Sequence, residues 1–148
     1  MICSLIQPKL WVGPTPRSEE DFTHLRSLNI TAVLSLQDEQ DRDYAGIESE
    51  RVAAARAGVV FESVPVKDFN NDELKLRLPE CVTVLERFVH QGHSVYVHCH
   101  AGISRSPTVI VAYLCWCTGR ELEGALSHVR QCRPCFPIAD AIRDACWH

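Results

Sequence analysis

Residues 94–116 read SVYVHCHAGISRSPTVIVAYLCW, and how this stretch folds decides the architecture. Its opening, SVYVH, is β-branched and aromatic and suits a strand. From Ser106 the text changes to SPTVIVAYLCW, an apolar helix with Pro107 in its first turn, where a missing N–H costs nothing. Between them, residues 98–106 (His-Cys-His-Ala-Gly-Ile-Ser-Arg-Ser) form a loop that runs from a strand's carboxyl end into a helix N-terminus. Open α/β sheets place their ligands at this kind of junction.

Outward from that stretch, strand and helix patterns alternate. Residues 2–7 and 10–12 predict a short edge hairpin broken at Gln7-Pro8-Lys9. Ser18 with Asp21 three residues later is a capping pattern that opens a helix to about Ser27. ITAVLSL at 30–36 predicts a buried strand, 48–57 a helix stopped by Gly58, and 59–64 a further strand. PVKDFNN at 65–71 is a loop. Val82, Leu85 and Val89 make one stripe of a helix over 79–91 that Gly92 ends. Helices are also expected over 121–130 and 138–146. This order predicts one α/β domain over residues 1–148, with a central, mostly parallel sheet of about five strands and helices on both faces.

The composition fits that reading. The chain has 148 residues, of which 46% are hydrophobic and 23% charged, enough to bury a core without disulfides or metal. No secretory signal and no apolar run of membrane-spanning length is visible, and 109–117 reads as a buried helix. A cytoplasmic location follows as the expectation. The net charge of −4 argues against nucleic acid or an anionic membrane as partner. The eight cysteines are then expected as free thiols. Cys132 and Cys135 have zinc-like spacing but lack a matching second pair, so no metal and no cofactor is expected.

The loop carries the chemistry. Cys99 and Arg105 are separated by five residues, His100, Ala101, Gly102, Ile103 and Ser104. A loop of this length can curl its N–H groups around one point, and with the helix dipole it makes an oxyanion nest. Gly102 permits a backbone geometry that a side chain would hinder. Arg105 can close the ring with a bidentate grip on two phosphate oxygens. Helix N-termini and nearby cations bring a cysteine pKa from about 8.5 to roughly 3.5–7.5, which makes a thiolate nucleophile. Ser106 can donate a hydrogen bond to the sulfur and help it leave. His98 is expected to orient the loop without touching substrate. Cys3, Cys81, Cys115, Cys117 and Cys146 read as structural thiols.

Breaking a phosphate ester also requires a proton for the leaving oxygen. Asp68 and Asp72 are the candidates, and a loop after a neighbouring strand's carboxyl end places Asp68 over the pocket. Together these residues point to a phosphomonoester hydrolase acting through a cysteinyl-phosphate.

VYVHCHAGISRSP resembles the His-Cys-x5-Arg-Ser/Thr signature of the protein tyrosine phosphatase superfamily, in its dual-specificity branch. With LWVGPTPRSEEDFTHL, VLSLQDEQDRDYAGI, VKDFNNDELKLRLPE and CFPIADAIRDA, the chain is similar to the phosphatase domains of plant glucan phosphatases and laforin. The resemblance implies Cys99 as nucleophile, Arg105 as phosphate ligand and Asp68 as acid. It implies an aromatic glucan channel at Tyr44, Phe69 and Phe136. The chain departs from the glucan group at Ser104, where Gly is usual, and at Ala45, where a second aromatic follows Tyr44. A phosphorylated glucan or a phosphoprotein is therefore the expected substrate, and a monomer the expected state. The alternatives are a phosphate-recognising module of the same fold without turnover, or rhodanese-like sulfur transfer, which leaves Asp68 without a role.

Overall fold

The computed structural model describes residues 1–147. The β1 (Ser4–Gln7) and β2 (Leu10–Gly13) strands form the expected antiparallel edge hairpin. The others are β3 (Ala32–Ser35), β4 (Val60–Ser63) and β5 (Val95–His98). The sheet runs β1-β2-β5-β3-β4, and every pairing except β1–β2 is parallel. Gly13 and Ser35 both pair with His98, and Ser35 pairs with Ser63. Four strands therefore end level, and the loops that leave them share one edge.

Six helices cover the sheet: α1 (Glu19–Ser27), α2 (Ile47–Arg56), α3 (Asn71–His90), α4 (Arg105–Thr118), α5 (Leu122–Cys132) and α6 (Ala139–Asp144). On one face, Phe22, Leu25 and Ala54 of α1 and α2 pack on Val33 and Tyr96. On the other, α3 to α6 bury Val95, Val97, Leu34 and most of the core. Side chains alternate along β5, so Val95 and Val97 face one layer while Tyr96 faces the other. His98 continues the Tyr96 side, its ring stacked 5.9 Å from that of Tyr96. This parity brings His98 toward α2.

The expected helix over 79–91 begins eight residues earlier, at Asn71, with Pro79 inside it. Asn70 caps its N-terminus, its side chain accepting the Glu73 N–H at 2.9 Å. Glu73 in turn reaches back to the Lys67 N–H at 3.2 Å. Leu74 and Leu78 are buried and extend the apolar stripe through Pro79. The proline removes one helical hydrogen bond, and burial of two leucines outweighs that loss at about 1.5–3 kcal/mol each.

All eight cysteines are free. Burial pushes the thiols of Cys3, Cys115 and Cys135 up, and those of Cys81 and Cys117 up to about 12, so these five stay protonated at neutral pH. Among the described residues, no group of three or more His, Cys, Asp or Glu side chains could hold a metal ion, and no helix is long and apolar enough to cross a membrane.

Candidate active site

The loop between β5 and α4 is held from outside. Its carbonyls point away from the centre, and each meets a protein donor. The Cys99 carbonyl faces His98 Nδ1 at 3.1 Å, and because a carbonyl only accepts, that nitrogen carries the hydrogen. The His100 carbonyl accepts the Thr15 N–H at 3.1 Å, from the loop after β2. Arg133 donates from Nη2 to Ala101 O and from Nε to Gly102 O, each at 2.9 Å. The Ile103 carbonyl accepts the Phe136 N–H at 2.7 Å. A peptide whose carbonyl is turned out has its N–H turned in. The N–H groups of residues 100–104 donate to no acceptor among the described residues, which leaves them free for an anion.

Gly102 makes this curl possible. Its φ is +71°, and a β-carbon there would lie 2.6 Å from the Gly13 backbone. Gly102→Ala is therefore expected to lose about 1–3 kcal/mol of stability from the left-handed backbone alone. The overlap with β2 should displace the loop as well. Urea unfolding, together with turnover of an aryl phosphate, measures both effects. Wild-type values for both would show that the loop does not need this conformation.

Cys99 lies at the floor of the loop, 3% exposed, with Sγ 3.2 Å from Ser106 Oγ. Arg105, in the first turn of α4, is also 3% exposed. Its guanidinium meets the carboxylate of Asp41 and the carbonyl of Val66. Burial alone would lower the Arg105 pKa. The hydrogen bonds to Asp41 and the charges of Cys99, Asp41 and Asp68 outweigh burial and hold it above its ordinary value. Asp68 follows β4, and its Oδ1 lies 3.4 Å from Arg105 Nε while accepting the Phe69 N–H at 3.1 Å. Asp72 is exposed in the first turn of α3. The level strand ends thus bring Cys99, Arg105, Ser106 and Asp68 together.

The three aromatics of the expected channel separate. Phe69 and Phe136 are 97% and 74% exposed, Phe69 beside Asp68 and Phe136 hydrogen-bonded to the loop at Ile103. Tyr44 lines a different cavity, of about 680 Å³ between α1 and α2. Its hydroxyl donates to Glu50 Oε1 at 2.7 Å, and burial followed by the Glu50 charge pushes its pKa well up. Glu50 also meets His98 Nε2 at 2.5 Å, so Tyr44 is tied to the support behind the loop.

Sequence reading passed over Asp41, Glu50, Thr15 and Arg133. Each acts through backbone or through another side chain, from a distant segment, and each looks locally like an ordinary loop or helix residue. The one available signal was the density of acidic residues after β3, from Asp38 to Asp43.

This geometry has a family. The pattern of the dual specificity phosphatase catalytic domain matches residues 10–141, and the chain belongs to that family. It is 34% identical over 146 residues to phosphoglucan phosphatase LSF1, chloroplastic, of Arabidopsis thaliana. To phosphoglucan phosphatase DSP4, amyloplastic, of Castanea sativa it is 33% identical over 146 residues. Those matches take in 97% and 96% of the chain but only 25% and 39% of the relatives. The crystal structure of Tk-PTP in its active form superposes with a TM-score of 0.76 at 25% identity, covering 96% of this chain and 91% of that one.

Proposed function

We propose that the chain acts as one catalytic domain, a cysteine-dependent phosphomonoester hydrolase of dual-specificity type. The observation that carries this reading is the run of loop N–H groups without acceptors between Cys99 and Arg105, on a loop whose carbonyls are all held from outside. The bound phosphate's oxygens accept from these N–H groups and from Arg105. The Cys99 thiolate attacks phosphorus from below as the ester P–O bond breaks, and Asp68 gives its proton to the departing oxygen. Water then attacks the cysteinyl-phosphate, its proton passing to the Asp68 carboxylate. The S–P bond breaks, and Ser106 Oγ donates a hydrogen bond to the departing thiolate. Only the chain and water take part.

The substrate we infer is a phosphorylated glucan. Phe69 has φ +59° and is nearly fully exposed. Neither burial nor backbone preference favours a phenylalanine there, since a left-handed non-glycine residue costs about 1–2 kcal/mol. A stacking surface for a ring-shaped substrate accounts for it. Phe136, hydrogen-bonded to the loop at Ile103, and the 44% exposed Ile103 give the loop an exposed apolar rim of its own. The names of the two relatives support the same substrate class. Eight unpaired thiols suit a reducing compartment, of which the cytoplasm is one.

Phe69→Ala and Phe136→Ala are expected to lower phosphate release from solubilised phosphoglucan by about 2- to 12-fold each, the worth of one stacked ring. Hydrolysis of a small aryl phosphate should stay near wild type. Equal losses on both substrates would reduce the rim to a structural role and make a phosphoprotein the better substrate.

A further inference from the structure

Arginine carries five N–H donors in a rigid plane, and only some of them can reach substrate. In Arg105, Nη1 donates to Asp41 Oδ1 at 3.2 Å and to the Val66 carbonyl at 2.8 Å. Nη2 donates to Asp41 Oδ2 at 2.8 Å. Asp41 therefore grips the outer edge of the fork with both oxygens, and its side chain is 4% exposed. Two donors remain, the Nε–H and the second Nη2–H. They lie side by side on the opposite edge, at the spacing of two phosphate oxygens. The Nε is buried and makes no hydrogen bond, with Asp68 Oδ1 facing it as an ion-pair partner at 3.4 Å.

Asp41 is itself held before any ligand arrives. Its N–H donates to the Asp38 carbonyl at 3.0 Å, and Asp38 Oδ2 accepts the Gln40 N–H at 3.0 Å. Glu39 Oε1 accepts the Ile47 N–H at 2.9 Å and anchors the same loop to α2. The carboxylate thus comes from a closed turn attached to the scaffold.

From this geometry we infer that Asp41 is the positioning residue of the phosphate-binding arginine, fixing the fork so that its Nε/Nη2 edge faces the phosphate. The inference rests on the hydrolase reading above. Phosphoryl transfer spreads charge over the equatorial oxygens in the transition state, and a fork held in the right plane meets them without reorganising. A fork released on its outer edge still carries its charge but must be ordered during the reaction. Asp41 also neutralises part of that charge, so the attraction for a dianion gained on its removal offsets the lost ordering, and ground-state binding stays nearly unchanged. The loss should therefore fall on kcat rather than on KM.

The test uses the full chain and an aryl phosphate. Asp41→Asn is expected to lower kcat by about 10²-fold, the effect of a misplaced catalytic group. KM and inhibition by inorganic phosphate should change by less than about threefold. Asp41→Glu keeps the carboxylate and should recover part of kcat, whereas a loop that merely needed filling would suffer more from the longer side chain. In an Arg105→Lys background, Asp41→Asn should cost almost nothing further, because the fork it holds is gone. Wild-type kcat in Asp41→Asn, or an undiminished loss in the Arg105→Lys background, would overturn the inference. Wild-type protein without aryl phosphatase activity would instead overturn the hydrolase reading.

Discussion

Cys99→Ser is expected to abolish turnover, with a loss on the order of 10⁴-fold or more, while inorganic phosphate still binds. The two halves of this result have separate physical origins. The proposed anion site is made of backbone N–H groups and Arg105, on a loop whose carbonyls are held from outside by Thr15, Arg133, Phe136 and His98. Exchanging one atom on the floor leaves those bonds in place. Attack on phosphorus needs an anionic nucleophile, and a serine hydroxyl is far too weakly acidic to supply one. Turnover of an aryl phosphate and calorimetric titration with inorganic phosphate measure the halves independently. Residual activity above about a hundredth of wild type would sink the covalent-cysteine mechanism. Lost phosphate binding would show that the sulfur is part of the cradle.

Asp68→Ala should harm substrates according to their leaving group. A phenolate departs as a fairly stable anion, whereas a sugar or serine alkoxide needs protonation as the bond breaks. The loss on alkyl phosphates is therefore expected at about 10²–10⁴-fold, with a clearly smaller loss on aryl phosphates. A second signature comes from the neighbour. Asp68 Oδ1 lies 3.4 Å from Arg105 Nε, the donor left for substrate. Removing that carboxylate takes a negative charge away from the phosphate's place, so inorganic phosphate should inhibit the variant more strongly. Asp72→Ala, changing an exposed residue on α3, should do neither. If Asp72→Ala gave the alkyl-selective loss and Asp68→Ala did not, the acid would be misassigned.

The fold was legible where local chemistry and position agree. SVYVH followed by an apolar helix fixes β5 and α4, and Ser18 with Asp21 marks the start of α1. The start of α3 is hidden along the chain because Pro79 looks like a helix beginning, and the burial of Leu74 and Leu78 becomes visible only once α3 lies against the sheet. Tyr44 was read by resemblance as a channel wall. It lines a cavity apart from Phe69, and its hydroxyl is tied to Glu50, since the loop after β3 turns it toward α2.

The sequence by itself determined the segment proposed as the reacting core. Cys99, Arg105 and Ser106 lie within eight residues of one another on one loop and its helix, so their geometry follows from a strand, a tight curl and a helix N-terminus. Only the tertiary structure decided what holds that core. Asp41 clamps the arginine, Arg133 and Thr15 turn the carbonyls outward, and Glu50 supports His98. Asp41 and Thr15 reach the loop because Gly13, Ser35, Ser63 and His98 end level across the sheet, whereas Glu50 comes from α2 and Arg133 from the end of α5. A lone Asp, Arg or Thr in a loop is solvated by default, and beyond the acidic run from Asp38 to Asp43 little along the chain distinguishes it from one whose side chain is 4% exposed against Arg105. Strand register supplies that distinction, and register is a property of pairings between segments far apart in sequence.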